Sequence, residues 1–266
     1  MKEYVCLVGL DEPEAEALRA RIDAPVVAHV ALPGIMVKDG QLWVENPGRP
    51  KIVPVSRMIY HGIYEDDLDF LTALALWGGP CLPNANGMMD CRLKFPCLVR
   101  ALRHTSFGEP LRGYAAPHMR FDTDFERVAK WGNWHCGENK ERFTGVWSGD
   151  QPSIIEPFLA GQSVRVVLIG NHAWQIQLEG NDWLKSIHHS DAAFMEIDPE
   201  LLEDTRNLRQ GLGLDLIAND YIVTPQGTRH LLEVNHIPNV TRFPEIWAAY
   251  EEWVVEWAKQ PVPMHG

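Results

Sequence analysis

The chain has 266 residues, long enough for a sizeable core and for two or three small subdomains around a shared cleft. Hydrophobic residues make up 45% and charged residues 23%, the ordinary balance of a globular enzyme. A formal net charge of -12 argues against sequence-independent nucleic-acid binding, which needs dense Lys and Arg, and against adhesion to an anionic membrane. Any polyanionic ligand must then be held locally, by a few placed cations or a metal ion.

The first twenty residues carry no signal-peptide pattern, and no apolar run approaches membrane length. The cysteines are Cys6, Cys81, Cys91, Cys97 and Cys136, an odd number without a CxxC pair. Buried, reduced thiols in a cytoplasmic protein are the expectation.

In chain order, EYVCLVGL (3–10) reads as a buried strand, followed by a helix in DEPEAEALRARI with Asp11 as its N-cap. PVVAHVAL (25–32) reads as a strand, and GIMVKDGQLWVEN as a hairpin turning at Asp39-Gly40. VSRMIYHGI (55–63) is a further strand, and EDDLDFLTALALWGG (65–79) a helix stopped by two glycines. This alternation predicts a parallel α/β subdomain over roughly residues 1–85. MDCRLKFPCLVRALR (89–103) reads as one helix with Leu98, Val99 and Leu102 on one face, a reading that Pro96 opposes. FERVAKWGNWHCGENKERF (125–143) begins as a strand and passes into a polar loop, and PSIIEPFLAG (152–161) is an interrupted apolar run. SVRVVLIGNHAWQIQL (163–178) is a hairpin around Gly170-Asn171, PELLEDTRNLRQGLG (199–213) a helix, and LDLIANDYIVTPQGTRHLLEVN a second hairpin. FPEIWAAYEEWVVEWAKQ is a final helix with Pro244 in its first turn. It carries a core stripe of Ile246, Trp247, Tyr250, Trp253, Val254 and Trp257.

HLLEVNHIPNV (230–240) poses the functional question. Residues two apart on a strand share a face, so Glu233 and Asn235 project together. Folding the Thr224–Thr228 turn brings Asp220 back beside them. Three oxygen donors on one sheet face suit a hard cation such as Mg²⁺, and not Zn²⁺, which prefers His and Cys. On spacing alone, a solvated strand rim accounts for Glu233 and Asn235 equally well.

The same residues carry a resemblance. GLDLIANDYIVTPQG and HLLEVNHIP resemble the closing hairpin of ATP-grasp ligases, in particular the branch of the ribosomal protein S6 modification enzyme and glutathione synthetase. NANGMMDCRLKF, VAKWGNWHCGENKERF and SIIEPFLAGQSVRVVLIGNHA resemble three earlier family segments in the family's order, and the likeness covers roughly residues 84–240. It implies an α/β ATP-grasp fold. The N-terminal parallel α/β subdomain would span 1–85 and the ATP-grasp region 86–266, with two α+β lobes, about 105–160 and 161–266, clasping ATP. It further implies Lys94 and Lys130 on the phosphates, Glu156, Phe158 and Leu159 around adenine, Arg165 at the γ-phosphate or an acyl phosphate, and Asp220, Glu233 and Asn235 on Mg²⁺ (or Mn²⁺). Lys185 would supply charge in the region of the family's later Arg and Asn.

The chain departs from the pattern in three places. Its phosphate loop, WGNWHCGENK, has only Gly132 and Gly137, where the family is glycine-rich so that backbone N–H groups can approach phosphate. Ser163 stands where an Asp often occurs, and His236 and Asn239 replace smaller residues.

The resemblance implies an ATP-dependent carboxylate–amine ligase working through an acyl phosphate. Its partners would be a small-molecule or peptide carboxylate and an amine, with no nucleic acid or membrane, and a homodimer is left open. His61, Tyr64, Tyr114, Arg120, His188 and His236 are candidate substrate contacts, being polar or aromatic near the expected cleft. Three alternatives stand beside this reading. One is an ATP-binding regulatory protein, and another a phosphotransferase on the same scaffold. The third is a zinc hydrolase built on His135-Cys136 and His188-His189, which predicts tight Zn²⁺ and hydrolysis without ATP.

Overall fold

A computed structural model describes residues 3–108, 112–132, 139–238 and 241–261, without the side chains of residues 49 and 50. His135 and Cys136, in the segment expected to form a phosphate loop, and Asn239 beyond the Glu-x-Asn pair, lie outside the described residues.

Among the described residues the strands form three sheets. The first comprises β1 (Tyr4–Val8), β2 (Val26–His29), β3 (Ile35–Lys38), β4 (Gln41–Asn46), β5 (Arg49–Tyr60) and β6 (Cys81–Leu82), in the order β2-β1-β5-β4-β3 with β6 beside β5. β1 runs parallel to β2 and β5, and β6 parallel to β5, but β3, β4 and β5 form an antiparallel meander. The expected parallel sheet is therefore mixed. The reason is local: Asp39 and Gly40 both take positive φ (52° and 74°), the two-residue turn that closes an antiparallel hairpin.

α1 (Glu12–Arg21) follows β1, and the backbone N–H of Asp11 donates to the Glu14 carboxylate at 2.9 Å, closing its first turn. α2 (Leu68–Trp77) ends on Gly78 in the left-handed conformation. The single helix expected over 89–103 is two helices, α3 (Ala85–Arg92) and α4 (Lys94–Ala101), broken at extended Leu93. The break places Pro96 in the first turn of α4, where its missing N–H costs no helical bond. It also rotates the buried face to Cys97, Leu98 and Ala101, leaving Val99 and Leu102 44% and 39% exposed. Asp67 and Arg92 form a fully buried ion pair between α2 and α3, and the Tyr60 hydroxyl donates to the same carboxylate at 2.7 Å.

The second sheet, β7 (Gly113–Ala115), β8 (Phe121–Trp131), β9 (Lys140–Trp147) and β10 (Ser153–Pro157), is antiparallel in the order β7-β10-β8-β9. It has its own small core of Ala115, Ala129, Trp147 and Ile155, with Phe121, Trp131 and Phe143 against it.

The third sheet, β11 (Gln162–Ile169), β12 (His172–Gln177), β13 (Ala193–Met195), β14 (Leu216–Val223) and β15 (Arg229–Asn235), is antiparallel in the order β13-β12-β11-β14-β15. Val164, Val166 and Leu168 point to one face, where Leu201 and Leu208 of α5 (Pro199–Gly211) pack. Val167, Ile169, Leu216 and Ala218 point to the other, where Ile246, Tyr250 and Val254 of α6 (Pro244–Lys259) pack together with Val5, Leu7 and Leu18. The first and third sheets thus share one core through α6, each fully buried aliphatic side chain stabilising by roughly 1.5–3 kcal/mol. The expected stripe of α6 holds, with Trp247 and Trp253 at its margin. Gly170 has φ 57° and lies under Trp253, whose ring would stand 2.7 Å from an added Cβ, so the turn requires glycine on both counts.

Candidate active site

The site is built on the period of the third sheet. Arg165 on β11 is directly opposite Asp220 on β14, and Asp220 is directly opposite Glu233 on β15. The register shifts between Asp220 and Tyr221, so that Tyr221 meets Leu231 and Leu232 is the extra residue of a bulge. The bulge lets Leu231 and Val234 both enter the core beneath the sheet while Glu233 and Asn235 face the cleft. Arg165 donates from Nε to Asp220 Oδ1 at 2.6 Å and from Nη2 to Oδ2 at 2.8 Å, a bidentate pair with both residues buried. Burial works against the guanidinium charge, but the Asp220 carboxylate outweighs it and Glu233 adds to the effect, so the pKa of Arg165 is raised.

Two chambers adjoin along this row. The smaller, about 90 Å³, is lined by Val128, Pro157, Phe158, Leu159, Trp183 and Ile222, with Ser163 also at its wall. The edge of Trp183 meets Phe158 at 6.1 Å, and the Arg142 guanidinium lies 3.8 Å from the Phe158 ring centre. At its polar end the Lys130 ammonium pairs with Glu156, which also accepts from Arg112 Nε at 3.1 Å. Arg112 donates as well to the Leu231 carbonyl, tying the second sheet to the third. The Glu156 carboxylate is thus engaged by two cations within the protein. Lys94 and Lys130 also border a small recess beside Glu233 and Cys97.

The larger chamber, about 380 Å³, is lined by Lys140, Arg165, Lys185, His61, His188 and Asn235 among others, with Gly9, Asp11 and Glu14 at its far wall. Gly9 has φ 90° and lies against Gly62, whose backbone nitrogen would stand 2.6 Å from an added Cβ, so glycine is required where the backbone bends past the chamber. His61 is half-buried and tilted against Tyr250 at 4.9 Å, and desolvation lowers its imidazole to about 4, leaving it neutral at pH 7. The Lys185 ammonium donates to the Gly180 carbonyl at 3.2 Å and lies 3.6 Å from Glu179.

Of the residues expected from sequence, Arg165, Lys185, Asp220, Glu233, Asn235, His61 and His188 line the larger chamber. Lys130, Glu156, Phe158 and Leu159 line the smaller. Arg120 is exposed on the approach to β8, among the lining residues of neither chamber. His236 is fully buried, because strand alternation turns it away from the face that Asn235 shares with the cleft, and Ile237 and Pro238 line the chamber instead. His188 and His189 diverge: His188 faces the chamber, whereas the His189 ring is bonded to Asn181 Oδ1 at 3.2 Å. Lys140, Arg112 and Trp183 were not singled out from sequence. The first was legible in principle, since hairpin register sets Lys140 opposite Lys130 where β8 and β9 are joined.

The donor set fits Mg²⁺. Among the described residues no group of three or more His, Cys, Asp and Glu side chains forms a metal cage. Mg²⁺ does not need one, since it takes one or two carboxylates and completes its shell with phosphate oxygens and water. Asn235, 4% exposed, leaves its Nδ2 buried without a hydrogen-bond partner among the described residues. The amide Oδ1 is the atom that can ligate a cation, and the unpaired N–H suits an acceptor such as a phosphate oxygen or a water.

Among the described residues no helix is long and apolar enough to cross a membrane, and Cys6, Cys81, Cys91 and Cys97 are buried free thiols. No family model matches the chain, and no curated protein matches it by sequence. Solved structures do match it along nearly their whole length. The D-alanine-D-alanine ligase of Coxiella burnetii superposes with a TM-score of 0.64 at 14% identity, over 97% of this chain and 94% of that one. The macrocyclase MdnC of Microcystis aeruginosa, bound with its precursor peptide MdnA, gives 0.64 at 13%, over 95% and 99%. A RiPP-associated ATP-grasp ligase of Chryseobacterium gregarium, in complex with ADP and a leader and core peptide, gives 0.63 at 13%, over 98% of each chain. At such identities the likeness carries the architecture, and the architecture is unambiguous: this chain has the ATP-grasp fold.

Proposed function

We propose that the protein is an ATP- and Mg²⁺-dependent ligase that joins a carboxylate to an amine through an acyl phosphate. One observation carries this reading: the two chambers meet at a shared boundary of Lys140, Leu178, Lys185, Asp220 and Glu233. A base at the apolar end of the smaller chamber, beside Phe158 and Leu159, would send its phosphates toward that boundary, and an acid in the larger chamber would meet them there among cations. Solved structures of the same fold, such as PsnB with its precursor, Mg and ADP, support the reading.

Phe158 and Leu159 would hold the base, with Glu156 setting the Lys130 ammonium beside it. Lys94 and Lys130 would contact phosphate oxygens, offsetting their charge within an acidic chain. Asp220, Glu233 and Asn235 would hold Mg²⁺ (or Mn²⁺), which would offset the charge of the transferred group. Arg165 would reach the γ-phosphate or the acyl phosphate and Lys185 would supply further charge there, while an oxygen of the substrate carboxylate attacks the γ-phosphorus and releases ADP. The amine nitrogen then attacks the acyl carbon, phosphate leaves, and the nitrogen loses a proton. Positioning and charge stabilisation supply most of the acceleration. His61 and His188 are proposed to contact the carboxylate or amine substrate, a small molecule or a peptide. We assign the N-terminal α/β subdomain to 1–85 and the ATP-grasp region to 86–266, and place the protein in the cytoplasm.

The test is phosphate release from ATP across amino acids, short peptides and dicarboxylates. Release that requires both a carboxylate and an amine, with an amide product, supports the proposal. Unchanged turnover in Glu233→Gln, or failure of ATP and Mg²⁺ to bind, sinks it.

A further inference from the structure

We propose that Lys140 is a catalytic residue that contacts the transferred γ-phosphoryl group, taking over work that a glycine-rich loop would do with backbone N–H groups. The proposal rests on the ligase reading of the site and deepens it.

Three observations converge. First, Lys140 is the partner of Lys130 in the β8–β9 register, so both side chains leave the same face of the second sheet and point over the third. Second, Lys140 belongs to the small set of residues that line both chambers, the others being Leu178, Lys185, Asp220 and Glu233. A phosphoryl group passing from nucleotide to substrate must cross that boundary. Third, the cations nearby are differently committed. The Lys130 ammonium is paired with Glu156, and that of Lys185 is held by the Gly180 carbonyl and Glu179.

The electrostatics of Lys140 agree. Burial, then the proximity of Lys130 and Lys94, disfavour its charge, while Glu233 and Asp220 only partly compensate. Three ammonium groups gathered in a desolvated corner repel one another, and a polyanion placed among them relieves that repulsion. The segment 131–140 has two glycines, Gly132 and Gly137, and so offers few positions for close backbone approach to phosphate. A side-chain cation at the end of that segment supplies positive charge at the boundary of the two chambers.

The test compares two nucleotides on the full chain with Mg²⁺ by calorimetry: ADP, and a non-hydrolysable ATP analogue that carries the third phosphate. In Lys140→Met the analogue should lose about 10- to 100-fold in affinity, the value of one charged hydrogen bond, while ADP changes by less than about threefold. Lys140→Arg should recover most of the loss. A counter-charge serving only to balance Glu233 and Asp220 would shift both nucleotides together, and that result overturns the proposal. So does a Lys140→Met protein, folded by its melting temperature, that keeps the wild-type ratio of the two affinities. A wild-type protein that binds neither nucleotide overturns the ligase reading and this proposal together, whereas wild-type binding with an unchanged ratio in the variant overturns this proposal alone.

Discussion

Arg165 grips both carboxylate oxygens of Asp220, at 2.6 and 2.8 Å, while Glu233 stands directly across the sheet from that carboxylate. Two carboxylates opposed on neighbouring strands repel, and the guanidinium supplies the positive charge that lets them coexist. The proposed divalent cation and Arg165 would therefore act on the same pair of charges. Arg165→Met should lose about 3–5 kcal/mol of stability without metal, the cost of breaking a buried pair from one side. Mg²⁺ should then raise the melting temperature of the variant more than that of the wild type. Equal Mg²⁺ shifts in both proteins would show that the carboxylates are not sharing a cation site.

Among the described residues the buried amide nitrogen of Asn235 has no partner, and its neighbour Glu233 faces both chambers. Replacing either with an isosteric or smaller group removes an oxygen from the proposed cation site without opening the core. Glu233→Gln and Asn235→Ala should each lower ATP turnover by about 10²-fold or more, with nucleotide affinity in EDTA little altered. Steady-state phosphate release with and without Mg²⁺ separates the two effects.

Desolvation lowers the His61 imidazole to about 4, against an ordinary value of 6.5. Between those values the unfolded chain binds a proton that the folded chain does not, so folding stability rises with pH across this window. The contribution is complete above pH 6.5 and declines as the pH falls toward 4, by about 2–3 kcal/mol. His61→Phe should flatten denaturant midpoints over pH 4–6.5 relative to wild type, and a slope identical in both proteins would assign the acid sensitivity elsewhere.

Asp67 and Arg92 are fully buried against each other, with Tyr60 donating to the same carboxylate. Removing one partner strands the other charge. Arg92→Leu should cost about 3–5 kcal/mol in urea unfolding, and Asp67→Asn combined with Arg92→Leu distinctly less than the sum of the single changes. Additive losses would mean that the two side chains do not depend on each other.

Much of the architecture was legible because it rests on short-range rules. Turn chemistry at Asp39-Gly40, Gly170-Asn171 and Thr224–Thr228 placed three hairpins, and the apolar stripe from Ile246 to Trp257 placed the last helix. Period-two alternation put Glu233 and Asn235 on one face, and the second hairpin brought Asp220 to them. The sequence over 89–103 reads as one helix but folds as two, because Pro96 is costly inside a helix and harmless in a first turn, and a break at Leu93 converts one case into the other.

What only the tertiary structure decided concerns partners far apart in sequence. A side chain's period shows which way it leaves its own strand, but not what has been packed opposite. So the pairing of Arg165 with Asp220, the capture of Glu156 by both Lys130 and Arg112, and the arrival of Lys140 where the chambers meet depend on sheet order and register. Alternation turns His236 away from the cleft face, but its complete burial depends on what is packed over the end of β15. Local chemistry determined which residues could bind a metal and phosphate, and the packing of three sheets decided which of them meet.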